Sequence, residues 1–72
     1  MNKAIYSQTH KDLIGKLKQA RIDAVLDQEE VAKLLGKTQS YISKVESGQR
    51  RVDIVQLKNF AKIYGKPLGF FI

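Results

Sequence analysis

The chain has 72 residues and a formal net charge of +6, from 13 Lys and Arg against 7 Asp and Glu. A domain this small buries only about 60% of its unfolded surface and needs reinforcement. It has no cysteine and one histidine, which excludes disulfides and a Cys/His metal site and leaves regular helix packing and self-association. The positive charge favours an anionic partner such as nucleic acid or a membrane surface.

The charge is concentrated in the second half of the chain. Residues 1–36 hold six basic and five acidic residues, a net +1, whereas residues 37–72 hold seven and two, a net +5. No apolar run approaches the roughly 18 residues of a membrane span, and no signal peptide is evident. A basic membrane-surface helix over residues 11–21 is disfavoured because its polar face also carries acids. We expect a cytoplasmic protein with no membrane association, and a single domain over residues 1–72.

Apolar residues at three- and four-residue steps predict a first helix over about 10–24, after an N-terminal arm of residues 1–8. Ser7 or Thr9 is expected to cap this helix. Its apolar stripe consists of Leu13, Ile14, Leu17, Ala20, Ala24 and Val25.

Capping signals predict two short helices next. Asp27 followed three residues later by Glu30 is typical of a capping box and predicts a helix over about 28–35. Thr38 is a good N-cap for a helix over about 39–47.

The last part of the chain contains one longer helix and a turn. Asp53 with Gln56 predicts a helix over about 54–64. Pro67 prevents its simple continuation, and residues 68–72 are expected to add one helical turn. No run alternates as a strand would. The predicted fold is therefore all-α, a compact bundle of four helices plus a C-terminal turn.

The second and third helices, within residues 28–47, have the spacing of a helix-turn-helix. Gly36 permits a sharp turn between them, and Ala32 is small where they must approach each other. Four apolar residues are expected to hold their angle: Val31, Leu35, Ile42 and Val45. Such a motif presents its second helix to the major groove of DNA.

Three segments in register carry a family resemblance: LDQEEVA at 26–32, QSYISKVESG at 39–48, and residues 57–65. Over residues 17–68 the chain resembles the phage repressor/Cro class of helix-turn-helix domains, of the xenobiotic-response-element type. The resemblance implies a DNA-binding transcriptional regulator.

Two opposite charges fall on inward helix faces. Arg21 lies one turn from Leu17, and Glu46 lies one turn from Ile42. Because an unpaired buried charge is very costly, we expect Arg21 and Glu46 to form a structural ion pair, as the resemblance also implies. The alternative is that Arg21 extends to solvent and Glu46 is a surface residue.

The outward side of the third helix carries the candidate base contacts, which are Gln39, Ser40, Ser43 and Lys44. A glutamine can bond adenine N6 and N7 together. The resemblance implies that Gln28 contacts a phosphate and braces Gln39. Further phosphate contacts are expected from the flanking residues Lys37, Thr38, Gln49, Arg50 and Arg51. The alternative for each is an ordinary solvated surface.

Three residues depart from the family pattern. Asp27 stands where Thr or Asn is usual, and its charge makes a phosphate contact there doubtful. Lys37 replaces an apolar residue and is expected to contact phosphate. Val25 stands where glycine often ends the first helix. Because a β-branched residue resists positive φ, we expect the first connection to differ from the family's.

The last residues are candidates for self-association. One short helix covers few base pairs, and related proteins read palindromic operators as dimers. We expect a homodimer whose interface includes Phe70, Phe71 and Ile72. The alternatives are that these side chains complete the core, or that the chain is part of a longer regulator.

The expected partner is double-stranded DNA, with no cofactor, metal or small-molecule ligand. An enzyme is disfavoured because His10 has no cysteine to work with and no glycine-rich phosphate loop is present. An antitoxin-type or other protein-interaction role, with DNA binding as autoregulation, remains open. The operator and the choice between activation and repression are not determined by the sequence.

Overall fold

Four helices and one terminal turn build the part of the protein that the structure, a computed structural model, describes, namely residues 8–72. The elements are α1 (Gln8–Asp23), α2 (Gln28–Leu35), α3 (Gln39–Glu46), α4 (Ile54–Tyr64) and a 3₁₀ turn (Leu68–Phe70). Residues 8–72 contain no strand. The all-α prediction is confirmed, and α2 and α4 have the predicted bounds.

Side-chain caps start the helices where the sequence predicts them. Asp27 Oδ1 accepts from the Glu30 amide at 2.8 Å, and Glu30 Oε1 accepts from the Asp27 amide at 2.9 Å. Asp53 and Gln56 form the same reciprocal box at α4. Thr38 Oγ1 accepts from the amide of the third residue of α3 at 3.1 Å. These bonds satisfy amides that have no partner within the helix.

The first helix differs from its prediction at both ends. It includes Gln8 and Thr9 and stops at Asp23, so Thr9 is inside the helix and does not cap it. Ser7 and residues 1–7 of the predicted arm lie outside the described residues. At α3 the helix ends one residue early, at Glu46.

All four helices end in the same kind of turn, which contains one residue with positive φ. After α1 that residue is Val25. Val25 has φ +59, and Gly36, Gly48 and Gly65 occupy the corresponding left-handed positions after the other helices. After α1, the Leu26 amide donates to the Arg21 carbonyl, five residues back, at 3.2 Å, the bond that typically closes a helix whose last turn contains a left-handed residue. The expectation that Val25 would avoid positive φ is therefore wrong. The bond from Leu26 holds the chain in a turn that valine disfavours.

The core lies where all four helices meet. Its buried side chains are Leu17, Ala20, Val31, Ala32, Ile42, Val45, Leu57, Phe60, Ala61, Tyr64 and Phe71. Val25, expected in the α1 stripe, is instead 86% exposed.

The C-terminal residues divide between core and surface. Phe71 is only 4% exposed, because the 3₁₀ turn folds it back onto the core cluster. It is a core residue and is not available as part of an interface. Ile72 is 76% exposed, and Phe70 is partly buried.

Candidate nucleic-acid interface

Helix α3 has one buried face and one open polar face. Ile42 and Val45 are fully buried and attach the helix to α1 and α2. The four predicted base-contact residues all lie exposed on the other side: Gln39, Ser40, Ser43 and Lys44. Because the buried residues alternate with these at helical spacing, the core itself determines which side chains face outward.

Arg21 and Glu46 form an ion pair between α1 and the end of α3. Arg21 Nε donates to Glu46 Oε2 at 2.7 Å and Arg21 Nη2 donates to Glu46 Oε1 at 3.2 Å, a bidentate arrangement. The side chains are only 13% and 6% exposed. Arg21 Nη1 also donates to the Leu26 carbonyl at 2.9 Å. The hydrogen bond to Glu46 raises the pKa of Arg21, so the guanidinium remains charged.

Gln28 connects this ion pair to the exposed face of α3. Its Nε2 donates to Glu46 Oε1 at 3.1 Å, and its Oε1 accepts from Gln39 Nε2. A carboxylate can only accept hydrogen bonds, so Gln28 must turn its amide nitrogen towards Glu46 and its oxygen towards Gln39. Gln39 uses one N–H to donate to Gln28, so its side-chain oxygen and its second N–H remain available for a base. An acceptor beside a donor is the pattern that adenine complements in the major groove.

Basic and polar residues lie on both sides of α3. Lys37 and Thr38 precede it, and Gln49, Arg50 and Arg51 follow it, all of them exposed. Gln49 Nε2 donates to Ser47 Oγ at 3.0 Å. These five candidate phosphate residues are thus solvent-accessible on either side of α3, whereas the sixth, Gln28, is partly buried at the start of α2.

Tyr41 contacts two of the candidate phosphate residues, a relationship that the sequence reasoning missed. Lys37 Nζ lies 5.3 Å and Arg50 Cζ lies 4.9 Å from the centroid of its ring. These distances are within the range of cation–π attraction. The four-residue step from Lys37 to Tyr41 was a signal for the first contact. Nothing local in the sequence indicates the second.

A family model described as Helix-turn-helix matches residues 17–71. The chain belongs to the helix-turn-helix family. This confirms the phage repressor/Cro resemblance predicted from the sequence. Membership of this family supports a DNA-binding transcriptional regulator. No curated protein matches the chain.

In this helix-turn-helix domain, the unusual Asp27 has a clear local role. Its carboxylate is engaged by the Glu30 amide at the start of α2. It therefore acts as a helix cap.

Within residues 8–72, the helix-turn-helix domain shows neither a metal-binding cluster nor a membrane-spanning helix. That part of the chain has no group of three or more His, Cys, Asp or Glu placed to hold a metal ion. None of its helices is long and apolar enough to cross a bilayer.

Proposed function

We propose that the protein is a sequence-specific transcriptional regulator that binds a palindromic operator as a homodimer, with α3 in the major groove. The observation that carries the proposal is the Gln28 link, which holds the amide of Gln39 in one orientation on an exposed helix face. A side chain whose hydrogen-bond donor and acceptor point in fixed directions is suited to recognising one base pair.

Base reading is concentrated at the start of α3. The helix has 8 residues, about 12 Å at 1.5 Å per residue, so only a few base pairs lie within its reach. We assign adenine to Gln39. Ser40 and Ser43 read less sharply because a hydroxyl can donate or accept, and Lys44 is suited to guanine or a phosphate.

The flanking residues supply affinity and register. Lys37, Thr38, Gln49, Arg50 and Arg51 would contact phosphates, which carry no sequence information. Thr38 Oγ1 accepts the α3 capping bond, so its O–H can still donate to a phosphate. Gln28 has a second amide N–H for the same purpose. Each neutralised phosphate steepens the log–log salt dependence by about 0.9.

Dimer formation would supply the specificity that one short helix lacks. The exposed side chain of Ile72 and the partly buried ring of Phe70 are the apolar surface that we assign to it. A two-fold dimer places its recognition helices about 34–36 Å apart, one turn of DNA. The operator would then consist of two inverted half-sites.

The test is a selection of bound sequences from random DNA at two salt concentrations. A palindromic consensus with half-sites one helical turn apart is expected. Gln39→Ala should flatten the preference at one symmetric pair of positions, and Arg51→Ala should weaken selected and scrambled DNA equally. The proposal is wrong if no consensus emerges, or if each variant loses the same proportion of its affinity for selected and for scrambled DNA.

A further inference from the structure

We propose that Tyr41 is a positioning residue, whose ring holds Lys37 and Arg50 ready for neighbouring phosphates of one DNA strand. This inference rests on the proposed function, because it concerns the DNA complex. It assigns a DNA-binding role to a side chain that carries no charge and faces partly into the protein.

The ring is fixed by its surroundings. The amide of Tyr41 donates to Thr38 Oγ1 and to the Thr38 carbonyl, each at 3.1 Å. Its side chain is partly buried and packs against the core cluster. It borders a small cavity together with Leu35 and Phe60. Burial raises the pKa of the Tyr41 hydroxyl, so the ring remains neutral.

Two cations from different segments converge on this ring. Lys37 belongs to the turn before α3 and Arg50 to the loop after it. Since Nζ is 5.3 Å and Cζ 4.9 Å from one centroid, the two groups are at most about 10 Å apart. Like charges this close repel each other in free protein, and a ring face attracts each of them.

In the free protein the ring therefore already orders the Lys37 and Arg50 side chains, which DNA would otherwise have to order on binding. Lys and Arg side chains are long and lose much rotamer freedom when they are held in place. Side chains that are already ordered lose less on binding, which strengthens the complex. Both cations contact the backbone of the duplex and not bases, so the gain applies to every DNA sequence.

A purely structural Tyr41 would behave differently from a positioning one. Loss of packing would weaken binding whether or not the two cations are present. Loss of positioning has an effect only through the cations. The two roles are separated by replacing Tyr41 in the wild-type chain and again in a chain carrying Lys37→Ala and Arg50→Ala.

The experiment measures affinity for the DNA selected with the wild-type chain and for a scrambled duplex. If Tyr41→Leu leaves both cationic side chains unordered before binding, the extra ordering cost corresponds to a loss of roughly 5- to 20-fold in affinity for both duplexes. Tyr41→Phe keeps the ring and should stay within about twofold. In the Lys37→Ala/Arg50→Ala background, Tyr41→Leu should cause no further loss.

Proton NMR of the free protein gives a second, DNA-independent measurement. The side-chain methylene protons of Lys37 and Arg50 should be shifted upfield by the ring in wild type and in Tyr41→Phe, and not in Tyr41→Leu. The positioning role is wrong if a folded Tyr41→Leu binds as wild type does, if its loss is equal in both backgrounds, or if these shifts are absent. Failure of the wild-type chain to bind any DNA would overturn the proposed function as well.

Discussion

The side-chain nitrogen of Gln28 donates a hydrogen bond to Glu46 Oε1 at 3.1 Å. Through this bond a partly buried ion pair and an exposed recognition helix share one network, since Gln28 also accepts from Gln39. The Glu46 carboxylate thus joins α1 to α3 and orients the Gln28 and Gln39 amides, which lead to the exposed face of α3.

Gln28→Leu should weaken the base preference that depends on Gln39. The variant removes the bond that orients Gln39, so preference at its base should flatten towards equal binding of all four bases. The salt slope should not change, because Gln28 is uncharged and its contact neutralises no phosphate. Competition binding with the four bases at that position, at two salt concentrations, measures both the preference and the slope. Gln19→Leu, on the exposed face of α1, is the matched control and should retain the preference, and a retained preference in Gln28→Leu would contradict the relay.

Arg21→Met should strongly destabilise the protein. It leaves the Glu46 carboxylate, 6% exposed, without its cation, and breaking such a pair typically costs about 3–5 kcal/mol. The free energy of unfolding from urea titration is the measurement. Lys18→Met on the exposed face of the same helix should change it by about 0.5 kcal/mol at most. Arg21→Met with Glu46→Leu should recover part of the loss, and an unchanged midpoint in Arg21→Met would refute the structural role.

Val25→Gly should stabilise the protein. Valine at φ +59 has a strained backbone, which costs about 1–3 kcal/mol. Glycine relieves the strain but adds freedom to the unfolded chain, so a net gain of about 1 kcal/mol is expected. Thermal and urea unfolding measure it. Val25→Ala keeps a Cβ and should gain less. If glycine is no more stable than alanine, the left-handed turn is not strained.

Tyr64→Phe should preserve stability or raise it by up to about 1 kcal/mol. The Tyr64 hydroxyl is buried and has no hydrogen-bond partner among residues 8–72, and such a group costs about 1–3 kcal/mol. Burial raises its pKa, which agrees with a poorly solvated hydroxyl. Removing it keeps the ring contact with Phe60, whose centroid is 5.8 Å away. Urea unfolding tests this, and a loss above about 1 kcal/mol would reveal a partner for the hydroxyl.

Ile72→Asp should weaken the proposed dimer without harming the monomer. Ile72 is 76% exposed, so a charge there costs little in the monomer and is unfavourable in an apolar interface. Analytical ultracentrifugation over a concentration series should show a shift towards monomer. Phe71→Ala is the contrasting variant, since truncating a buried phenylalanine costs about 3–5 kcal/mol of folding free energy. An unchanged dimer in Ile72→Asp would exclude this surface.

The sequence by itself determined the helices and the family. Asp27, Thr38 and Asp53 act within a few residues of themselves, because a cap needs only an amide three positions ahead. Apolar spacing along α3 likewise decides which of its faces is open. These local signals were sufficient to predict the helix-turn-helix and the exposure of Gln39.

The tertiary structure decided the features that depend on distant partners. Gln28 and Glu46 are 18 residues apart, and no local pattern states which amide atom meets the carboxylate. Arg50 reaches Tyr41 only because the loop after α3 turns back across it. Phe71 and Ile72 are adjacent and both strongly apolar, yet Phe71 is buried and Ile72 is exposed. The physical reason is that the angles between packed helices, which involve the whole core, determine these contacts, whereas a cap or a periodic stripe involves one helix alone.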